Sequence, residues 1–153
     1  MSEQVPFLLI NGEELAMTEI VYDLRELLPD LEINSRDRVF DIDFPEEWEV
    51  YIEAECFPEG ECGDHFTLAQ WEDIAECVEK YGNDAVIAWF TFCGINYPPS
   101  DRSMNFVTYS SAEELVIAVL GEVSYEYRAY LDFEEIAEEH SSVYLDGIYY
   151  IFN

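Results

Sequence analysis

The sequence predicts an α+β fold in which short antiparallel strands carry packed helices and the chain closes on a β-hairpin. Three observations carry that expectation. Residues 46–56, Glu-Glu-Trp-Glu-Val-Tyr-Ile-Glu-Ala-Glu-Cys, alternate with the period of a half-buried strand. Thr67-Leu-Ala-Gln70 and Ser111-Ala-Glu-Glu114 are capping boxes, each opening a segment of helical period. Asp146-Gly147 separates two β-rich runs and supplies the two positive-φ residues of a type I′ turn.

In chain order, Val5–Ile10 reads as a short apolar strand followed by an Asn11-Gly12 turn. Thr18 is placed to cap a helix over 19–28, with Ile20, Leu24, Leu27 and Leu28 as its apolar stripe and Pro29 as its end. Residues 38–44 alternate, Val39, Asp41 and Asp43 against Phe40, Ile42 and Phe44, and read as a strand. In the next strand Trp48, Val50, Ile52, Ala54 and Cys56 face one way, and Glu47, Glu49, Tyr51, Glu53 and Glu55 the other. Same-face neighbours then lie about 6.7 Å apart, so the outer side is a crowded row of carboxylates.

Residues 57–66 form a loop. The helix capped at Thr67 runs to about Tyr81 and is terminated by a left-handed Gly82. Leu68, Trp71, Ile74, Ala75 and Val78 make its inner stripe, leaving Glu72, Asp73, Glu76 and Glu79 on the remainder. Residues 84–93 form a nearly all-apolar, buried helix ended by Gly94, and 95–104, with Pro98-Pro99, form a loop. The helix over 113–120 turns Leu115, Val116, Val119 and Leu120 inward. A connector holds Tyr125, Tyr127 and Tyr130, and a short acidic helix over 133–139 carries Glu134, Glu135, Glu138 and Glu139. The hairpin then spans 143–145 and 148–152. Three modules follow: 1–56 (α+β), 57–104 (helical) and 105–153 (helix plus hairpin).

Composition narrows function more than fold. The chain has 153 residues, half of them hydrophobic and 16% aromatic, enough for a folded core. Against 35 acidic residues stand only 6 basic ones, a net charge of −29. Such an imbalance opposes compaction through self-repulsion, so it speaks to partners. Duplex DNA carries one charge per roughly 1.7 Å of axis, so this charge equals that of about 50 Å of duplex. Direct binding to nucleic acid or to an anionic membrane is excluded, and basic surfaces are the expected partners. No run approaches a membrane span or a signal peptide, and the four cysteines show no paired framework, so a cytoplasmic setting is expected.

Motifs of catalysis are missing from the sequence: it holds no phosphate-cradling glycine loop, nucleophile elbow or His-rich metal helix. No enzyme activity and no cofactor are expected. Cys56, Cys62, His65 and Cys77 could surround zinc, but C-x5-C-x2-H lacks the tight C-x2-C knuckle and reads as incidental. Asp41-x-Asp43 lacks the glycine and distal Glu of a calcium loop. Tyrosines without cations cannot form a base-stacking surface; they read as core or protein-interface residues. A solvated or halophilic surface is the plain reading of the acids. Glu outnumbers Asp 24 to 11, however, and large apolar residues are plentiful, which is unlike halophilic adaptation. Acidity also persists on strand, helix and loop alike. The rows are therefore expected to imitate nucleic-acid phosphates.

From about Trp48 onward the chain resembles the ArdA-type antirestriction family. The resemblance lies in Trp48–Ala54 leading into a Phe57-Pro58 loop, in Leu68–Gly82 ending Val-Glu-Lys-Tyr-Gly, and in the apolar 85–92 helix. It continues in Tyr130-Leu-Asp-Phe-Glu134, a short helix, and a hairpin ending Tyr149-Tyr-Ile-Phe152. The first 45 residues and Met104–Tyr109 depart from that pattern. The resemblance implies small α/β modules in an elongated acidic arrangement, dimerising end to end. It also implies a DNA mimic carried by a phage or plasmid that occupies the DNA-binding groove of a type I restriction-modification enzyme in a bacterial host. The expected contacts are Glu47, Glu49, Glu53 and Glu55, then Glu72, Asp73, Glu76 and Glu79, then Glu134, Glu135, Glu138 and Glu139. The same charge would serve an anti-CRISPR acting on a guide-RNA effector, or an acidic immunity protein against a basic toxin.

Overall fold

The computed structural model describes residues 5–61, 63–121 and 129–152, and its architecture is α+β. The chain divides into two compact units, Met1–Met104 and Asn105–Asn153. The first unit holds both of the first two expected modules.

In that unit, strands β1 (Phe7–Ile10), β2 (Glu13–Ala16) and β3 (Val50–Glu53) form an antiparallel sheet in the order β2-β1-β3. Asn11 and Gly12, at φ of 51° and 84°, make the turn that returns the chain as β2, a strand the sequence reading did not include. Met17–Glu19 is a 3-10 turn leading into helix α1 (Ile20–Leu27). Thr18 therefore lies inside that turn, and no side chain caps α1.

The strand expected over 38–44 is instead a 3-10 turn, Val39–Asp41, with a single bridge from Arg38 to Thr67. Val39 and Ile42 are the buried residues. A spacing of three puts them on one side of a 3-10 turn, whereas a strand would have sent them to opposite faces. Burial chose the former.

Helix α2 (Leu68–Tyr81) carries the full capping box: Gln70 N–H donates to Thr67 Oγ1 (3.3 Å) and Thr67 N–H to Gln70 Oε1 (2.9 Å). Helix α3 (Asn83–Cys93) follows after Gly82 alone. Gly82, at φ 96° and ψ 160°, has the positive φ expected of a terminator but not the left-handed helical ψ. Its N–H donates to the Val78 carbonyl and its carbonyl accepts from Val86 N–H, so one residue serves both helices. Only part of α3 is buried (Ala85, Val86, Ala88, Phe90), and Phe92 is exposed. Phe57, Phe66, Trp71 and Phe90 stack at centroid distances of 5.1–6.1 Å, joining the 57–66 loop to the helices.

In the second unit, β4 (Phe106–Tyr109), β5 (Val143–Leu145) and β6 (Ile148–Phe152) pair antiparallel in the order β4-β6-β5. Strand β4 was not anticipated; it pairs with β6 along its whole length, Phe106 to Phe152 through Tyr109 to Tyr149. Helices α4 (Ala112–Leu120) and α5 (Phe133–Glu139) pack Ala112, Leu115, Val116 and Ala137 into the core. Val119 and Leu120, expected inside, are exposed. The helical stripe fixes their side, but the reach of the neighbouring element decides how far along it is covered. The second capping box is half-formed. Ser111 Oγ accepts from Glu114 N–H, while Glu114 reaches past Ser111 to the N–H and hydroxyl of Ser110. Asp146 and Gly147, at φ of 48° and 82°, form the expected hairpin turn. Tyr125 and Tyr127 lie outside the described residues.

Candidate functional site: the carboxylate faces

The acidic faces are by-products of how each element buries its other side. In β3 and its flanks Val50, Ile52 and Ala54 are half-buried and Cys56 is buried, while Glu47, Glu49, Glu53 and Glu55 are exposed. The alternation expected over 46–56 is therefore present in burial, but the strand proper spans only Val50–Glu53. Its partner β1 is four residues long and ends at the Asn11-Gly12 turn, so no longer ladder is available. Asn11 adds one further pairing: its N–H donates to the Glu49 carbonyl, and its side-chain oxygen accepts from Glu49 N–H, both at 3.0 Å. Even strand spacing thus applies from Glu49 to Glu53. Glu47 sits in the preceding turn and Glu55 in the bend after the strand.

On α2, Asp73, Glu76 and Glu79 are exposed and Glu72 is half-buried. Glu72 shares a cavity with Glu19, Val21, Tyr22 and Arg25 beside α1. Burial raises its pKa first, with Asp73 and Glu76 adding to it and the Val21 main chain opposing. Asp73 is raised by burial and then by Glu76. Glu79 lies beside Glu14 of β2 in a second cavity, also lined by Phe7 and Thr18. The fold thus draws in acids that the sequence reading passed over. On α1 and the turn before it, Glu19, Asp23 and Glu26 stand at i, i+4 and i+7, and both glutamates push the Asp23 pKa up further after burial does so. That spacing was visible in the sequence.

On α5, Glu134, Glu135, Glu138 and Glu139 are all exposed. Asp132 caps the helix by accepting from Glu135 N–H (3.2 Å). Glu134 and Glu138, one turn apart, share a cavity with Ser142, Tyr144 and Tyr149. The two rings lie 4.7 Å apart, and burial followed by Glu134, Tyr144 and Glu138 raises the Tyr149 pKa. The fold therefore gathers Glu72 with α1, Glu79 with β2, and Glu134 with Glu138. None of these cavities is shared between the β3 acids and those of α2.

Two of the six cations are engaged by other groups. Arg25 donates through Nε and Nη2 to the Ile33 carbonyl (3.2 and 2.9 Å), and Lys80 pairs with Asp101 at 2.7 Å. Among the described residues no lysine or arginine pairs with any carboxylate proposed as a contact. Ionised carboxylates are acceptors only, so these faces present what a phosphate presents.

Cys56 and Cys77 are buried free thiols whose pKa is pushed up to about 12, chiefly by burial. Among the described residues no three His, Cys, Asp or Glu side chains converge as a metal site, and Cys62 lies outside them. None of the described helices is long and apolar enough to cross a membrane. No family model, curated protein or solved structure matches the chain.

Proposed function

We propose that this chain is a non-catalytic DNA mimic that occupies the DNA-binding groove of a defence enzyme, a type I restriction-modification complex in a bacterial cell. The observation that carries the reading is the state of the carboxylates. Eleven of the twelve stand exposed, and none is ion-paired with a lysine or arginine of the described residues. A net charge of −29 opposes folding by self-repulsion, and a basic partner that supplies cations relieves it. Each carboxylate displaces one duplex phosphate from a Lys or Arg of the target, and long-range attraction raises the association rate. A homodimer carried by a mobile element, which the resemblance to ArdA-type proteins implies, doubles the carboxylates offered to the partner.

The test is competition. The purified chain is expected to displace duplex DNA from a type I methyltransferase core. Displacement from a guide-RNA effector alone would move the target and keep the mechanism. Failure against both overturns the proposal. Single Glu→Gln changes are expected to alter inhibition less than about fivefold, since one exposed contact is worth about 0.2–1 kcal/mol. Neutralising a whole set, such as Glu134, Glu135, Glu138 and Glu139, is expected to abolish it. One substitution that alone removed activity from a folded chain would favour a compact hot spot of the immunity-protein type.

A further inference from the structure

We propose that the cavity walled by Phe40, Tyr51, Phe57 and Trp71 is an aromatic cage for the guanidinium of an arginine presented by a basic partner. It rests on the mimicry reading only for the source of that arginine. The cavity belongs wholly to the first unit and measures about 280 Å³. Small-molecule and cofactor sites begin at roughly 300 Å³ and extend to about 1,000 Å³, so its size suits one long side chain.

Its lining has three parts. Phe57 and Trp71 meet edge to face, 5.6 Å apart at 86°, which sets two ring planes at right angles. Phe40 and Tyr51, 53% and 51% exposed, stand at the opening. Glu61 and Asp64, both exposed, bring negative charge, and among the described residues no lysine or arginine lines the cavity. Aromatic faces are the negative side of the ring quadrupole, so rings and carboxylates select the same sign of ligand. Arginine fits better than lysine because its planar, weakly hydrated guanidinium stacks on rings while its stem covers apolar wall such as Ile52 and Ala54.

One local feature shapes the opening: Phe40 reaches it because Val39–Asp41 is a 3-10 turn that buries Val39 and Ile42 and turns Phe40 out.

The experiment is an NMR titration of the whole chain with Nα-acetyl-arginine methylamide and with its neutral isostere, Nα-acetyl-citrulline methylamide. About 0.15 M salt limits diffuse attraction to a Debye length of about 8 Å. The arginine probe is expected to shift the Trp71 indole N–H and the amides of Tyr51, Ile52 and Asp64 saturably, with citrulline at least tenfold weaker. Phe40→Ala and Tyr51→Ala are each expected to weaken binding by about 2- to 30-fold, the range spanned by a cation–π contact. Tyr51→Leu, which keeps apolar bulk but loses the ring, is expected to behave as Tyr51→Ala does. Equal binding of citrulline, or arginine shifts that survive these substitutions, overturns the cage. Because the probe needs no target enzyme, its failure leaves the DNA-displacement result untouched, and the reverse also holds.

Discussion

Gly63 is a residue whose size is tightly prescribed. A Cβ placed on it would lie 2.5 Å from Phe57 Cζ and 2.8 Å from Phe66 Cε2, closer than packed atoms approach. Both rings belong to the aromatic stack that ties the loop to α2 and α3. Gly63→Ala is therefore expected to lower unfolding stability by about 1–3 kcal/mol, the usual cost of overpacking a core, as read by urea denaturation. Glu72 and Asp73 make a prediction of the opposite sign. Burial raises both carboxyls above their ordinary values in the folded chain. A raised folded pKa means that the native state holds the proton more tightly. Its contribution is full below the unfolded pKa and is lost as pH rises through the folded one. At neutral pH both groups are thus charged at a cost, so Glu72→Gln/Asp73→Asn is expected to raise Tm. The gain should shrink as pH falls through the carboxylate range, as thermal melts across pH would show.

Among the elements, α2 is the one most completely specified by its own residues. Box, stripe and acid face are all local to it, and Thr67→Ala is expected to cost about 0.5–2 kcal/mol through loss of the cap, measurable by chemical denaturation. Gln70 would keep the other half of the box, the bond its Oε1 accepts from the residue 67 N–H, so Gln70→Ala on that background should add a further cost. In α4 the same signature had a different outcome, because Glu114 found two donors on Ser110. Both hydrogen bonds hold the Glu114 carboxyl below its ordinary pKa. The 38–44 segment shows the converse: a clean alternation that formed no strand. Its two buried residues stand three apart, and alternation in charge was secondary to that.

Across the whole molecule, charge acts in two opposed ways. Self-repulsion among 35 acids weakens the folded state, and the same field draws in a basic partner. Added salt is expected to raise Tm and to weaken inhibition over the same range, since the Debye length falls from about 30 Å at 0.01 M to about 8 Å at 0.15 M. Parallel melts and DNA-competition curves against salt would check both. Movement of the two in the same direction would place the binding energy in apolar contact instead.

The sequence by itself determined the α+β class, the capped helices, the Asp146-Gly147 hairpin and the outward face of Glu47–Glu55. Each follows from signals within a few residues: period, cap or turn chemistry. Tertiary structure decided the rest. Strands β2 and β4 exist because β1 and β6 offered them a ladder, and β3 is short because β1 is short. Glu72 lost its open exposure to α1, which no spacing within α2 could foretell. The cage around Phe40, Tyr51, Phe57 and Trp71 draws on a turn, a strand, a loop and a helix, and only packing of the first unit brings them together. Local pattern fixes which way a side chain points; what it then meets depends on partners distant in the chain.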